Sequence, residues 1–437
     1  MRLITYLGFL FVGNLSIVLA SAASLHLLPR SNNGNTGPAK GHLHDQSWTN
    51  WVSTWAAMPQ LAEPANLPPP PFNGTAAVFV DTSIRQSLKV TAGGSSFRLR
   101  FSNVFGVNNL DITAVTVARP GNGSVGTTSV DSSTLTAVTF SGNSNFSVPN
   151  GAQVVSDPIS WPVSDDGTLS ITTYLATGQL GFSTTSHPGS RTSSYLLSGN
   201  HVNDEDFVGG VRTDHWYFLS GVEVVANDEN LGAIALVGDS LTDGRGSTTN
   251  GNDRWPDQFF ELIKTAKKPL SVLNQAAGGN RVLADGLGPN ALGRIDRDVL
   301  AQTGVNWAIL FEGVNDIGTA APNAAEQNAT VARVIAAYQQ IATRLHAQRK
   351  YAYIATITPF GNNSYDDGYY RENSRQAINA WIRNNSVFDA VLDFDAAVRD
   401  PANTTRILPS FDSGDGLHMN PAGYGAIAAS IPLDLFC

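Results

Sequence analysis

Between Trp51 and Val225 apolar and polar positions alternate with a period of two, the pattern of a half-buried β-strand rather than of a helix. Ile84, Leu88 and Val90 alternate with Arg85, Ser87 and Lys89; beyond Ala92-Gly93-Gly94-Ser95, Phe97, Leu99 and Phe101 alternate with Arg98, Arg100 and Ser102. This predicts a β-hairpin with one buried face. Further strands are predicted at 112–118, 135–140, 153–159, 169–175 and 216–225, with Gly, Pro and Asn turns between them. No long helical stripe interrupts them, so residues 51–226 read as an antiparallel β-sandwich of jelly-roll type.

The texture changes after Asn227. Ala233-Ile234-Ala235-Leu236-Val237 is an unbroken apolar run, as in a strand buried on both faces. Similar runs recur at 270–273, 307–311, 352–357 and 391–394. Helical spacing lies between them. Val331, Val334, Ile335, Tyr338, Ile341, Ala342 and Leu345 share one helix face, and 255–266 and 374–382 are further helices. Strand alternating with helix predicts a three-layer α/β/α domain with a parallel sheet over 227–437. Reactive groups in such sheets stand at the carboxyl ends of the strands.

The amino terminus adds a compartment. Met1 and Arg2 precede an apolar run that ends at the small-residue signal Ala20-Ser21-Ala22, which reads as a secretory signal peptide over 1–22. Residues 23–50 lack apolar periodicity and read as a flexible arm or propeptide; His42 and His44 there are taken as solvated rather than metal-binding. Sequons at Asn73, Asn122, Asn145, Asn328, Asn362, Asn384 and Asn403 are candidates for N-glycosylation and are expected to face solvent. The chain is thus expected to be a secreted, extracellular glycoprotein.

Composition narrows the chemistry. With 27 Lys and Arg against 36 Asp and Glu, the net charge is −9, which argues against a nucleic-acid partner. No later run reaches the 18 or so apolar residues of a membrane span, so no stable membrane insertion is expected. Cys437 is the single cysteine, which excludes an intrachain disulfide and a thiolate zinc site; a tail thiol packed on the last helix is expected. Neither metal nor cofactor is called for, and a monomer is expected.

The candidate chemistry sits where strands end. Gly238-Asp239-Ser240-Leu241-Thr242 closes the first apolar run and presents Ser240 at a strand-to-helix turn. A serine there is either a nucleophile awaiting a base or a helix cap. Of eight histidines, His26, His42 and His44 precede the folded region, His346 ends a polar-faced helix, and His187, His201 and His215 lie in the β-domain, where they could contribute to a cleft but are read first as structural. His418 follows Asp415 at spacing three, which lets the aspartate orient one ring nitrogen while the other faces the serine. Asn274-Gln275-Ala276-Ala277-Gly278-Gly279 ends the second run, and Gly313-Val314-Asn315-Asp316 the third. A glycine N–H and the Asn315 amide could serve a developing oxyanion, or simply belong to turns.

Taken in order, Gly-Asp-Ser-Leu, the Gly279 loop, Gly-x-Asn-Asp and Asp-x-x-His resemble the GDSL or SGNH hydrolase family, over about 227–437. The resemblance implies a flavodoxin-like domain and a serine carboxyl-ester hydrolase. It implies that Ser240 is nucleophile and first oxyanion donor, that Gly279 and Asn315 are the other donors, that His418 is the base and that Asp415 orients it. Gly279 rather than Gly278 is chosen because it lies five after Asn274, as in the family pattern. Asp239, Asn274 and Asp316 are expected to hold loops. Trp51-Val52-Ser53-Thr54-Trp55, Ile84-Arg85-Gln86, Arg98-Leu99-Arg100-Phe101-Ser102-Asn103 and Asn252-Asp253-Arg254-Trp255-Pro256 are similar to a two-domain subgroup of extracellular acylhydrolases, variously lipase-like, arylesterase-like or xylan-associated. The expected partner is a carbohydrate-linked, aryl or lipid acyl ester, acetyl and short acyl esters of carbohydrates being favoured. The alternatives are a lipase, an arylesterase or an acyltransferase with the same triad, and a non-catalytic carbohydrate-binding protein on the same fold.

Overall fold

The computed structural model describes residues 50–436. The expected signal peptide, nearly all of the arm, and Cys437 lie outside them. The described residues fall within one compact unit.

Ten strands build two antiparallel sheets: β1 (Trp51–Ala56), β2 (Thr82–Lys89), β3 (Gly94–Ser102), β4 (Ala114–Ala118), β5 (Thr136–Ala137), β6 (Gln153–Val155), β7 (Thr168–Leu175), β8 (Ser194–Ser198), β9 (Val211–Thr213) and β10 (Leu219–Ala226). One sheet runs β1-β10-β3-β6 and the other β9-β8-β2-β7-β4-β5. Their apolar faces share a core in which Ile84, Leu88, Leu169, Ile171 and Leu196 meet Phe97, Leu99, Phe101, Val222 and Val224.

The predicted hairpin is corrected here. β2 pairs with β7 and β8, whereas β3 pairs with β6 and β10. The two alternating strands face each other across the sandwich, and the turn carries the chain from one sheet to the other. Its glycines are needed there: a Cβ on Gly93 would lie 2.3 Å from the Val163 carbonyl oxygen, and one on Gly94 would lie 2.4 Å from that of Val225. The predicted strands at 135–140 and 153–159 shrink to β5 and β6. Asp157 accepts hydrogen bonds from Thr139 Oγ1 and from the Ser141 and Gly142 N–H groups, so a carboxylate satisfies the loop where a ladder would have done so.

The second half is built on five parallel strands, β11 (Gly232–Gly238), β12 (Leu270–Ala276), β13 (Val305–Phe311), β14 (Tyr351–Ala355) and β15 (Ala390–Leu392), in the order β12-β11-β13-β14-β15. This is the flavodoxin-like order, whose ligand crevice lies outside the carboxyl ends where the winding reverses, between β11 and β13. Among the described residues eight α-helices accompany the sheet: α1 (Ser240–Asp243), α2 (Trp255–Thr265), α3 (Ala291–Ile295), α4 (Val314–Thr319), α5 (Ala324–Ala347), α6 (Tyr370–Asn384), α7 (Phe394–Val398) and α8 (Pro421–Ala429). The predicted stripe on α5 buries Val334, Tyr338, Ile341, Ala342 and Leu345.

The halves are sewn together through β1. Val52 and Ala56 join the core of the parallel domain. Ser53 donates its N–H to Thr303 O at 3.0 Å and accepts at its carbonyl from Ser271 Oγ at 2.6 Å.

One buried guanidinium ties the strand ends. Arg294 on α3 donates to Gly238 O at the end of β11, to Gln275 O in β12, to Asn280 Oδ1, and to Asp298 and Glu312, the last directly after β13. Burial pushes the Glu312 carboxyl well up, against the pull of Arg294. Removing one partner of a buried ionic set leaves uncompensated charge, at a cost of about 3–5 kcal/mol. Arg294→Met is therefore expected to lower the free energy of unfolding by that order in urea titration; a loss under about 1 kcal/mol would refute the role.

Candidate active site

β11 ends in Gly238, where a Cβ would lie 2.3 Å from Thr242 Oγ1. Only glycine lets the chain turn directly from strand to helix at this point. Asp239 caps the turn by accepting from the Leu241 N–H at 2.9 Å. The helix cap is thus filled by its neighbour, and the Ser240 hydroxyl is turned to His418, with Oγ 2.8 Å from Nε2. Across the ring, Nδ1 lies 2.7 Å from Asp415 Oδ2. A carboxylate can only accept, so Nδ1 carries the proton and Nε2 accepts from the serine. Asp415 Oδ1 meanwhile accepts the N–H groups of Leu417 and His418 at 3.0 and 2.8 Å.

Burial dominates at His418 and holds its ring below the ordinary 6.5, against Asp415; the guanidiniums of Arg245 and Arg191 push it the same way as burial. At Asp415 burial works upward, but the backbone N–H and ring hydrogen bonds of His418 outweigh it and hold the carboxyl below its usual range.

The loops after β12 and β13 close on the same point. Asp243 accepts the Gly278 N–H at 3.0 Å, so that donor is occupied. Gly279 has φ of +73°, and its N–H has no hydrogen-bond partner among the described residues. A Cβ there would also lie 2.4 Å from Leu287 Cδ1. Asn315 stands in α4, where Gly313 enters the helix in the left-handed region. Its Oδ1 accepts from Tyr365 O–H at 3.0 Å and its Nδ2 donates to Asn280 O at 2.9 Å. That orients the amide and leaves its second N–H for a ligand.

The residues expected to hold loops do so. Asn274 donates to Thr242 O, and Asp316 accepts from the Val282 and Leu283 N–H groups. Burial, aided by neighbouring carboxylates, raises Asp239 to about 7.

Three residues were not singled out from the sequence. Tyr365 orients Asn315 and packs its ring over Gly318, where a Cβ would lie 2.3 Å from it. Arg294 lies beneath the loops. His187, read as structural, is buried with Nε2 2.9 Å from Asp243 Oδ1 and Nδ1 3.1 Å from Met58 O. Through Asp243 it steadies the Gly278–Gly279 loop from the sandwich side. No sequence signal marks these contacts, because each joins residues far apart in the chain. His201 binds the Ser198 carbonyl and His215 the Pro188 carbonyl, and His346 binds Asp389. All seven sequon asparagines are exposed; Asn362 adjoins Asn363, which lines the cleft. Among the described residues no His, Cys, Asp and Glu cluster could hold a metal, and no helix is long and apolar enough to cross a membrane.

Ser240, His418, Asp415, Gly279 and Asn315 line one cleft of about 500 Å3. Residues 236–426, which span all five, match the GDSL-like lipase/acylhydrolase family model. Residues 236–426 form a GDSL-like lipase/acylhydrolase domain. With that domain the chain is a carboxylic-ester hydrolase. No curated protein matches the sequence. Among solved structures, a GDSL-like lipase from Bacteroides thetaiotaomicron is similar at 15% identity and a TM-score of 0.34, covering 46% of this chain and 86% of its own. A mutant acetyl-xylooligosaccharide esterase from Geobacillus is similar at 17% identity and a TM-score of 0.35, covering 46% and 91%. An esterase from Pseudoalteromonas sp. is similar at 14% identity and a TM-score of 0.34, covering 46% and 93%.

Proposed function

We propose that the GDSL-like domain acts as a secreted serine esterase in which Ser240, His418 and Asp415 form the triad. The observation that carries this reading is the unbroken chain from Ser240 Oγ to His418 Nε2 at 2.8 Å and from His418 Nδ1 to Asp415 at 2.7 Å. In this mechanism His418 takes the serine proton as Oγ attacks the ester carbonyl. The Ser240 and Gly279 N–H groups and the free N–H of Asn315 hold the oxyanion. His418 then protonates the leaving alkoxide, and water, deprotonated by the same ring, releases the acid.

Acetyl and short acyl esters of carbohydrates suit the cleft. Gln60, Glu63, Asn66, Asn315 and Asn363 line it, and its aliphatic side chains are few. A long acyl chain would find little apolar wall there, whereas a sugar would find hydrogen-bonding partners. The enzyme is proposed to work as a monomer without metal or cofactor. A series of nitrophenyl esters from acetyl to dodecanoyl, run beside acetylated xylan, tests the substrate class. kcat/KM should be highest for acetyl and propionyl and fall with chain length; a maximum at eight carbons or more would overturn it.

The depressed His418 sets the pH response. The ring must be neutral to accept the serine proton, so activity is lost on the acid side of its pKa. The acid limb of kcat/KM, which reports the free enzyme, is expected below pH 6.5. A midpoint above that value would contradict the assigned environment.

A further inference from the structure

Two arginines stand in the wall of the cleft, and the mechanism uses neither. Arg245 follows α1, its N–H bonded to Ser240 O at 3.0 Å and its carbonyl accepting from Tyr424 O–H. Arg191 comes from the sandwich half. Both line the same cleft as Ser240, His418, Gly279 and Asn315.

Neither guanidinium has an ion pair or a side-chain hydrogen bond among the described residues, and Arg191 Nε is buried without a partner. Arg191 is half-buried and Arg245 exposed, whereas the buried Arg254, Arg294 and Arg375 are paired with Asp257, with Asp298 and Glu312, and with Glu372 and Asp395, and the buried Arg85 is hydrogen-bonded to Thr172 and to backbone carbonyls. The cleft carboxylates are all engaged. Asp415 serves His418, Asp243 serves His187 and Gly278, and Glu63 accepts from Gln60 and Asn66. Among the described residues, Arg191 and Arg245 are thus the charged side chains of the cleft whose polar atoms no neighbour engages.

The Arg191 backbone is held in place for this. Its φ is +50°, a conformation that a bulky residue keeps only when its surroundings impose it. Asn250 imposes it from the hydrolase half. Its N–H donates to Arg191 O at 2.8 Å, and its Oδ1 and Nδ2 bond Ser193 N and Oγ at 2.8 and 3.0 Å. A guanidinium carried on a backbone so held is suited to carboxylate, sulfate or phosphate oxygens.

We propose that Arg191 and Arg245 form an oxyanion-binding subsite, so that the preferred ester carries a negatively charged group on its acid or its alcohol side. The inference rests on the esterase reading above and narrows its substrate class.

Matched esters test it. On the acid side, nitrophenyl hemisuccinate is compared with its methyl ester; on the alcohol side, acetylated oligogalacturonate with acetylated xylo-oligosaccharide. The wild-type enzyme should favour the anionic member of at least one pair by about tenfold or more in kcat/KM, and the pair that responds locates the charge. In R191Q and R245Q that ratio should fall by about tenfold, mainly through KM. Raising salt to ~0.5 M should lower the wild-type ratio, a check that needs no variant. Wild-type ratios near one in both pairs, or a ratio unmoved by both substitutions and by salt, would overturn the subsite. Failure to turn over any ester would instead defeat the esterase reading.

Discussion

Ser240→Ala is expected to lower kcat by on the order of 10⁴- to 10⁶-fold while leaving the urea midpoint within error of the parent. The hydroxyl makes one hydrogen bond, to His418, and the helix cap at this turn is supplied by Asp239. Loss of the oxygen therefore removes chemistry without removing a structural contact. His418→Ala should cost nearly as much, because a serine hydroxyl without its base is a weak nucleophile. The double variant should be scarcely worse than either single one, since the residues act as one unit. Single-turnover and steady-state assays on an acetyl ester would read all three. Multiplicative losses would mean that serine and histidine act independently, which their 2.8 Å contact does not allow.

Asn315→Ala is expected to lower kcat by roughly 10²- to 10³-fold, with KM little changed. In the proposed mechanism its free N–H serves the charge that develops on the carbonyl oxygen. Tyr365→Phe keeps the ring over Gly318 and deletes only the O–H that bonds Asn315 Oδ1 at 3.0 Å. It should give a smaller loss in kcat, again without a matching rise in KM, because the amide is still held through Asn280 O at 2.9 Å. A rise in KM alone for either variant would assign these residues to ground-state binding.

The site was legible in the sequence to the extent that its residues follow recognisable strands. Ala233 to Val237 is apolar on both faces, so its end could be placed within a residue and Ser240 put at the turn. Asn315 follows β13 in the same way, whereas β12 runs to Ala276, three residues past the apolar run that precedes the Gly279 loop. Alternation was less informative in the sandwich. It identified the buried faces of β2 and β3 but not their partners, because a strand that crosses between sheets carries the same pattern as one that folds back beside its neighbour. The choice between Gly278 and Gly279 rested on spacing; the structure adds that the Gly278 N–H is bound by Asp243. Tyr365 and Arg294 could not be read at all, and His187 was legible as a structural histidine but not in its contact with Asp243. Each acts through a contact with a distant segment, and a tyrosine, a histidine or an arginine in a loop or short helix carries no local mark of that role.

The central claim is that Ser240 is the nucleophile of an ester hydrolase, and covalent trapping tests it most directly. The enzyme is incubated with a nitrophenyl alkylphosphonate, digested, and examined by mass spectrometry alongside Ser240→Ala. The account predicts one phosphonyl adduct on the Ser240 peptide, formed in step with loss of ester hydrolysis, and none in the variant. An adduct on another residue, or hydrolysis that continues while Ser240 is fully modified, would contradict it.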